Sequence, residues 1–76
     1  MINWRHQELA EEVANLVIEE FPNAKIEKIH EGLEEDSIWI RVRKNGYETW
    51  DIIEAVSEKC RDILLEYGCD IAIIPV

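Results

Sequence analysis

The hexapeptide IWIRVR, Ile38 to Arg43, constrains this chain more than any other stretch, because its side chains alternate in character with a period of two. That period is the β-strand repeat, so Ile38, Ile40 and Val42 share one face and Trp39, Arg41 and Arg43 the other. A sheet with one face turned to a core is therefore expected. KNGY follows at once, and Asn-Gly between β-like runs is the strongest short hairpin cue. It predicts a short return arm, Tyr47 to Trp50, with Arg43 facing Glu48 and Arg41 facing Trp50. In that register Trp39, Arg41 and Trp50 share one sheet face, with a charge pair and a cation–π contact on it.

Helical spacing governs two other segments. Leu9, Val13, Leu16 and Val17, widened by Ala10, Ala14 and Ile18, predict a helix from Trp4 to Phe21, with Asn3 as N-cap and a turn at FPN. Ile52, Val56, Cys60, Ile63, Leu64 and Tyr67 form the buried stripe expected of a second helix, Ile52 to Tyr67. Asp51 and Glu54 open it as a capping box, and Gly68 closes it. AKIEKIH reads as a strand whose Ile26 and Ile29 differ in parity, which calls for a bulge or for two partly covered faces. CDIAIIPV is apolar on both faces, as expected of a strand central in its sheet, with Pro75 limiting its length. The fold class is α+β, a two-layer sandwich. Two helices pack on one face of a small mixed sheet of three to four strands, in the order α-β-β-(β)-α-β.

Seventy-six residues make one domain, 1–76, and the 47% of hydrophobic residues suffice for its core. The net charge of −9 argues against nucleic acid and anionic membrane surfaces as partners, since both demand clustered cations. No apolar run reaches the roughly 20 residues that cross a bilayer, and MINWRHQELAEE lacks a signal-peptide core, so a cytoplasmic location is the expectation. Cys60 and Cys69 match no zinc-like spacing and read as small buried thiols.

Candidate chemistry is sparse. HEGLEEDS carries Glu31, Glu34, Glu35 and Asp36 beside His30, an oxygen-rich set that could hold Mg²⁺ or Ca²⁺, although its spacing is not that of an EF-hand loop. The bland reading is a solvated turn. Neither His6 nor His30 has a second His at helical spacing, and no serine lies in a nucleophile elbow. Three glycines, each used in a turn or cap, leave none for a phosphate cradle.

LVIEEFPNAKIEKIHEG, LEEDSIWIRV and ILLEYGCDIAIIPV, in that order, resemble segments of the minimal nucleotidyltransferase domains of prokaryotes. The resemblance spans most of the chain. It implies a Gly-Ser loop for nucleotide phosphates, an Asp-x-Asp pair for two Mg²⁺ ions and a third acid on a later strand. Here HEG occupies the loop, Ser37, Ile38 and Trp39 stand at the Asp-x-Asp position, and Asp70 matches the third acid, with Asp36 about two positions displaced.

The sequence thus favours a small acidic module that works by binding rather than catalysis and needs no cofactor. A homodimer, or docking of a basic or helical protein partner, is expected through Trp39, Arg41 and Trp50 and through the acidic 31–36 loop. The alternatives are a divergent Mg²⁺-dependent nucleotidyltransferase using Asp36 and Asp70, and divalent-cation binding by Glu31, Glu34, Glu35, Asp36 and Asp70.

Overall fold

The computed structural model describes residues 4–76; the Asn3 N-cap lies outside them. In chain order the elements are α1 (Trp4–Glu20), β1 (Lys25–Glu31), β2 (Ser37–Arg43), α2 (Thr49–Tyr67) and β3 (Asp70–Pro75). The three strands form one mixed sheet in the order β1-β2-β3, antiparallel between β1 and β2 and parallel between β2 and β3. The fold is α+β, as the sequence predicts.

Both helices cover the same face of that sheet. Leu9, Ala10, Val13, Ala14 and Val17 of α1 and Ile52, Val56 and Ile63 of α2 form one core with Ile38, Ile40 and Val42 of β2 and Cys69 and Ile71 near β3. Ile40 and Val42 are fully buried, which is worth roughly 1.5–3 kcal/mol for each side chain. The parity conflict in β1 is resolved by a bulge. The register shifts between Ile26 and Lys28, so Ile26 pairs with Val42 and Ile29 with Ile40, and both turn to the core.

The return arm predicted at Tyr47–Trp50 does not form. The Asn-Gly turn itself is made: Asn45 and Gly46 have φ of 52° and 102°, and the Tyr47 N–H donates to the Lys44 carbonyl at 3.3 Å. The chain then enters α2. A strand there has no slot, because β1 flanks β2 on one side and β3 on the other, with the Lys44 N–H donating to the Val76 carbonyl at 3.1 Å. Tyr47 instead packs edge-on against Phe21 at 4.9 Å and accepts from the Asn23 N–H, while Asn45 Nδ2 donates to the Asn23 carbonyl at 2.9 Å. These contacts tie the turn to the α1–β1 connection.

Three further expectations are corrected. Helix α2 begins at Thr49, two residues before the Asp51 capping box; its N-cap is Glu48, whose side chain makes no cap bond. Leu64 and Tyr67 belong to no buried stripe, being 44% and 42% exposed, because Ile52, Val56 and Ile63 already face the sheet. Strand β3 lies at the edge of the sheet, and β2 at its centre. Gly68 does close α2 in the left-handed region, φ 68°, donating to the Leu64 carbonyl at 2.9 Å.

Candidate functional site

The face of the sheet that the helices leave open is fixed by the pairing register. Trp39 lies between His30 and Ala72, Arg41 between Lys28 and Ile74, and Arg43 beside Lys25. Four of the chain's eight Lys and Arg residues therefore share this face with His30 and three carboxylates, Glu27, Asp70 and Glu34, the last two lining a hollow beside Trp39. The other four cations are set against the remaining fourteen of seventeen carboxylates. A molecule acidic as a whole thus has one basic face. At physiological salt the Debye length is about 8 Å, so charges beyond the helical layer are largely screened from it.

The face is graded across its width. Its β1 side is cationic, with Lys25 and Lys28 beside Arg41 and Arg43. Its β3 side is apolar at Ala72, next to Trp39, and at Ile74, next to Arg41, and turns acidic at Asp70. A hollow of about 340 Å³ lies among Lys25, Ile26, Glu27, Lys28 and Arg41. Arg43 Nε donates to Glu27 Oε2 at 2.7 Å, and the arginine's Nη2 donates to the same oxygen. The Glu27 carboxylate at the bulge is thus paired with Arg43 while it lines the hollow beside Lys25, Lys28 and Arg41.

Trp39 is half-buried and held in place. A methyl group on Gly32 would lie 2.7 Å from its Nε1 and 2.9 Å from its Cδ1, so the indole rests against the glycine backbone. His30 meets it edge-on at 5.8 Å. Trp50 is not on this face. It lies in the first turn of α2, 75% exposed, so the expected grouping of Trp39, Arg41 and Trp50 is broken while Trp39 and Arg41 remain neighbours on β2. The missing arm is the cause.

HEGLEEDS is the β1–β2 connection. The Gly32 N–H donates to the Ser37 carbonyl at 2.9 Å, and Ser37 Oγ to the Glu34 carbonyl at 2.7 Å. Glu34, Glu35 and Asp36 are exposed, and Asp36 takes a left-handed φ of 62°. The Asp70 N–H donates to the Asp36 carbonyl at 2.9 Å, so the backbones of these two acids meet where β3 begins. Glu31 closes β1. Among the described residues no three His, Cys, Asp or Glu side chains converge as a metal would require.

Both cysteines are free thiols held in the protonated form. Burial, with smaller contributions from Asp70 and Cys69, pushes Cys60 up to about 11. Cys69 is raised chiefly by burial, then by Asp36 and Asp70. Neither is poised as a nucleophile.

Sequence reasoning placed Trp39, Arg41 and Arg43 on this face but missed Lys25, Lys28 and Ile74 as its members. The signal lay in the Ile26/Ile29 irregularity, because placing a bulge there fixes which lysines oppose Arg41 and Arg43. Among the described residues no helix is long and apolar enough to cross a membrane. Architecture and site together define a two-layer α+β domain with one uncovered, basic and partly apolar sheet face. Comparison with protein-family models, with curated proteins and with solved structures found no match.

Proposed function

We infer that this chain is a non-enzymatic binding module that docks an acidic protein partner on its open sheet face, with a cytoplasmic setting as part of the same reading. The observation that carries it is the gathering of half the chain's lysines and arginines on the sheet face that also bears a held Trp39 and that neither α1 nor α2 covers. Trp and Arg are the side chains that most often anchor interfaces, and a like-charged copy of the same face is disfavoured as the occupant. Partner chemistry therefore differs from what net charge suggests: an acidic segment suits this surface better than a basic one. The apolar β3 side adds a strip for aliphatic side chains beside the charges.

Titration with a glutamate-rich amphipathic peptide, followed by amide chemical shifts, tests this. Shifts should map to Lys28, Trp39, Arg41 and Ile74 and vanish in Arg41→Glu. No response at about millimolar peptide, a Kd weaker than roughly −4 kcal/mol of binding, removes the reading. Mg²⁺ or Ca²⁺ with and without ATP serves as the counter-test. Nucleotide-dependent shifts at Asp36 and Asp70 would favour a nucleotidyltransferase, and nucleotide-independent shifts confined to 30–37 a cation site.

A further inference from the structure

We propose that β3 is the seam of a symmetric dimer in which a second copy of this chain adds its own β3 antiparallel to the first, giving a continuous sheet ordered β1-β2-β3-β3′-β2′-β1′. Such a dimer is independent of the docking reading, since it uses the sheet edge and the flank of α2.

The two edges of this sheet are built differently. β1 carries Lys25, Glu27, Lys28 and Glu31 and is kinked by its bulge, both of which discourage pairing with another chain. β3 is charged only at its first residue, Asp70, and from Ile71 to Pro75 carries no charged side chain. Among the described residues no strand lies on its outer side, yet its sequence is that of a strand enclosed on both sides.

Hydrogen bonding along β3 fixes what the free edge offers. The Asp70 and Val76 N–H groups donate to the Asp36 and Val42 carbonyls, so the backbone groups of even-numbered β3 residues point towards β2. Ile71, Ile73 and Pro75 therefore direct their backbone groups outward. An antiparallel copy centred on Ala72 sets Ile71 opposite Ile73′ and Ile73 opposite Ile71′, each pair exchanging two hydrogen bonds. Pro75, which has no N–H, then owes no donor within these pairs. A register centred on Ile73 would oppose Pro75 to Ile71′ and Ile71 to Pro75′, and lose one in each pair.

The flank of α2 above this edge supplies the apolar contact. Trp50, Ile53, Cys60, Leu64 and Tyr67 recur at spacings of three, four or seven, the seam pattern of paired helices. Trp50, Leu64, Tyr67 and Val76 are 75, 44, 42 and 50% exposed. With aromatic side chains of roughly 150–250 Å², these four present on the order of 400 Å² per copy. Adding the paired strands and the half-buried Ile53, Cys60 and Ile73, the contact totals on the order of 1,200 Å², the lower bound for a stable dimer.

Sedimentation equilibrium and amide hydrogen exchange on the full chain test the proposal. A dimer should be present at about 100 µM and tighten as NaCl rises from about 0.05 to about 0.5 M, because salt screens the repulsion between two chains of charge −9. Exchange of the Ile71 and Ile73 amides should slow about tenfold or more with increasing concentration, while Ala72 and Ile74 stay protected throughout. Ala72→Lys places like charges opposite each other on the open face, and Leu64→Glu charges the α2 flank. Each should weaken the dimer about tenfold or more, with circular dichroism confirming a folded monomer. A monomer at every concentration and salt overturns the proposal. So does a dimer whose Ile71 and Ile73 amides exchange freely, or one that neither substitution weakens.

Discussion

Replacing Gly32 by alanine separates two opposite expectations for the same residue. Gly32 is not in the left-handed region, so a methyl group there strains no backbone. By restricting the unfolded chain it would stabilise the protein by about 0.4–1 kcal/mol. Against this stands space. The new Cβ would lie 2.2 Å from Ser37 Oγ, 2.7 Å from Trp39 Nε1 and 2.9 Å from Trp39 Cδ1, where ordinary contact begins at 3.4 Å. Ser37 Oγ can rotate away only by giving up its bond to the Glu34 carbonyl, about 0.5–1.5 kcal/mol. The indole must also shift on the central strand, and such overpacking costs about 1–3 kcal/mol. Crowding wins, and Gly32→Ala should destabilise by about 1–2 kcal/mol. Since urea m-values for small domains are about 1 kcal/mol/M, the midpoint followed by far-ultraviolet circular dichroism should fall by about 1–2 M. In a Ser37→Ala, Trp39→Ala background both clashes are gone, and Gly32→Ala should be neutral or stabilising. An unchanged or raised midpoint in the single variant, or an equal loss in the triple, would refute the packing of Trp39 on Gly32.

Ile40→Ala, at a fully buried site between both helices and the sheet, should cost about 2–5 kcal/mol; Ile74→Ala, on the open face, should cost under about 1 kcal/mol, measured by the same denaturation. Gly68→Ala, at φ 68°, should cost about 1–2 kcal/mol, read as a fall in Tm. At pH 8 the Cys60 thiolate should be about 100-fold scarcer than that of a thiol titrating at its ordinary 9.0, and iodoacetamide labelling correspondingly slow. The folded pKa lies above the unfolded one, so this contribution to stability is complete below about pH 9 and lost as pH rises through about 11. Labelling of Cys60 in folded protein as fast as in urea would show that burial does not hold the thiol protonated.

Much of the fold is legible in the residues because each signal is local. The alternation of Ile38, Ile40 and Val42 names the core face of β2, and the 3.6-residue recurrence of Leu9, Val13 and Val17 names that of α1. Ile26 and Ile29, through a broken alternation, narrow β1 to a bulge or two partly covered faces, and the register shift shows the bulge. The site is less legible. Trp39 and Arg41 are readable as outward because parity on one strand is fixed by its period, but Lys25 and Lys28 join them only once the bulge position sets the register.

The sequence by itself determined the two helices and three strands, the apolar faces of α1 and β2, the Asn45-Gly46 turn and the Gly68 cap, since these depend on periodicity and on φ preferences that a few adjacent residues carry. Only the tertiary structure decided that a helix and not a strand comes after the turn, where β3 lies and where the charge collects. Asn-Gly bends a chain towards a return strand, but whether that strand can pair depends on which strands already occupy the two sides of β2, and β3 arrives from more than twenty residues downstream. Net charge is a sum over the chain. A basic face is an arrangement, and strand register is what arranges it.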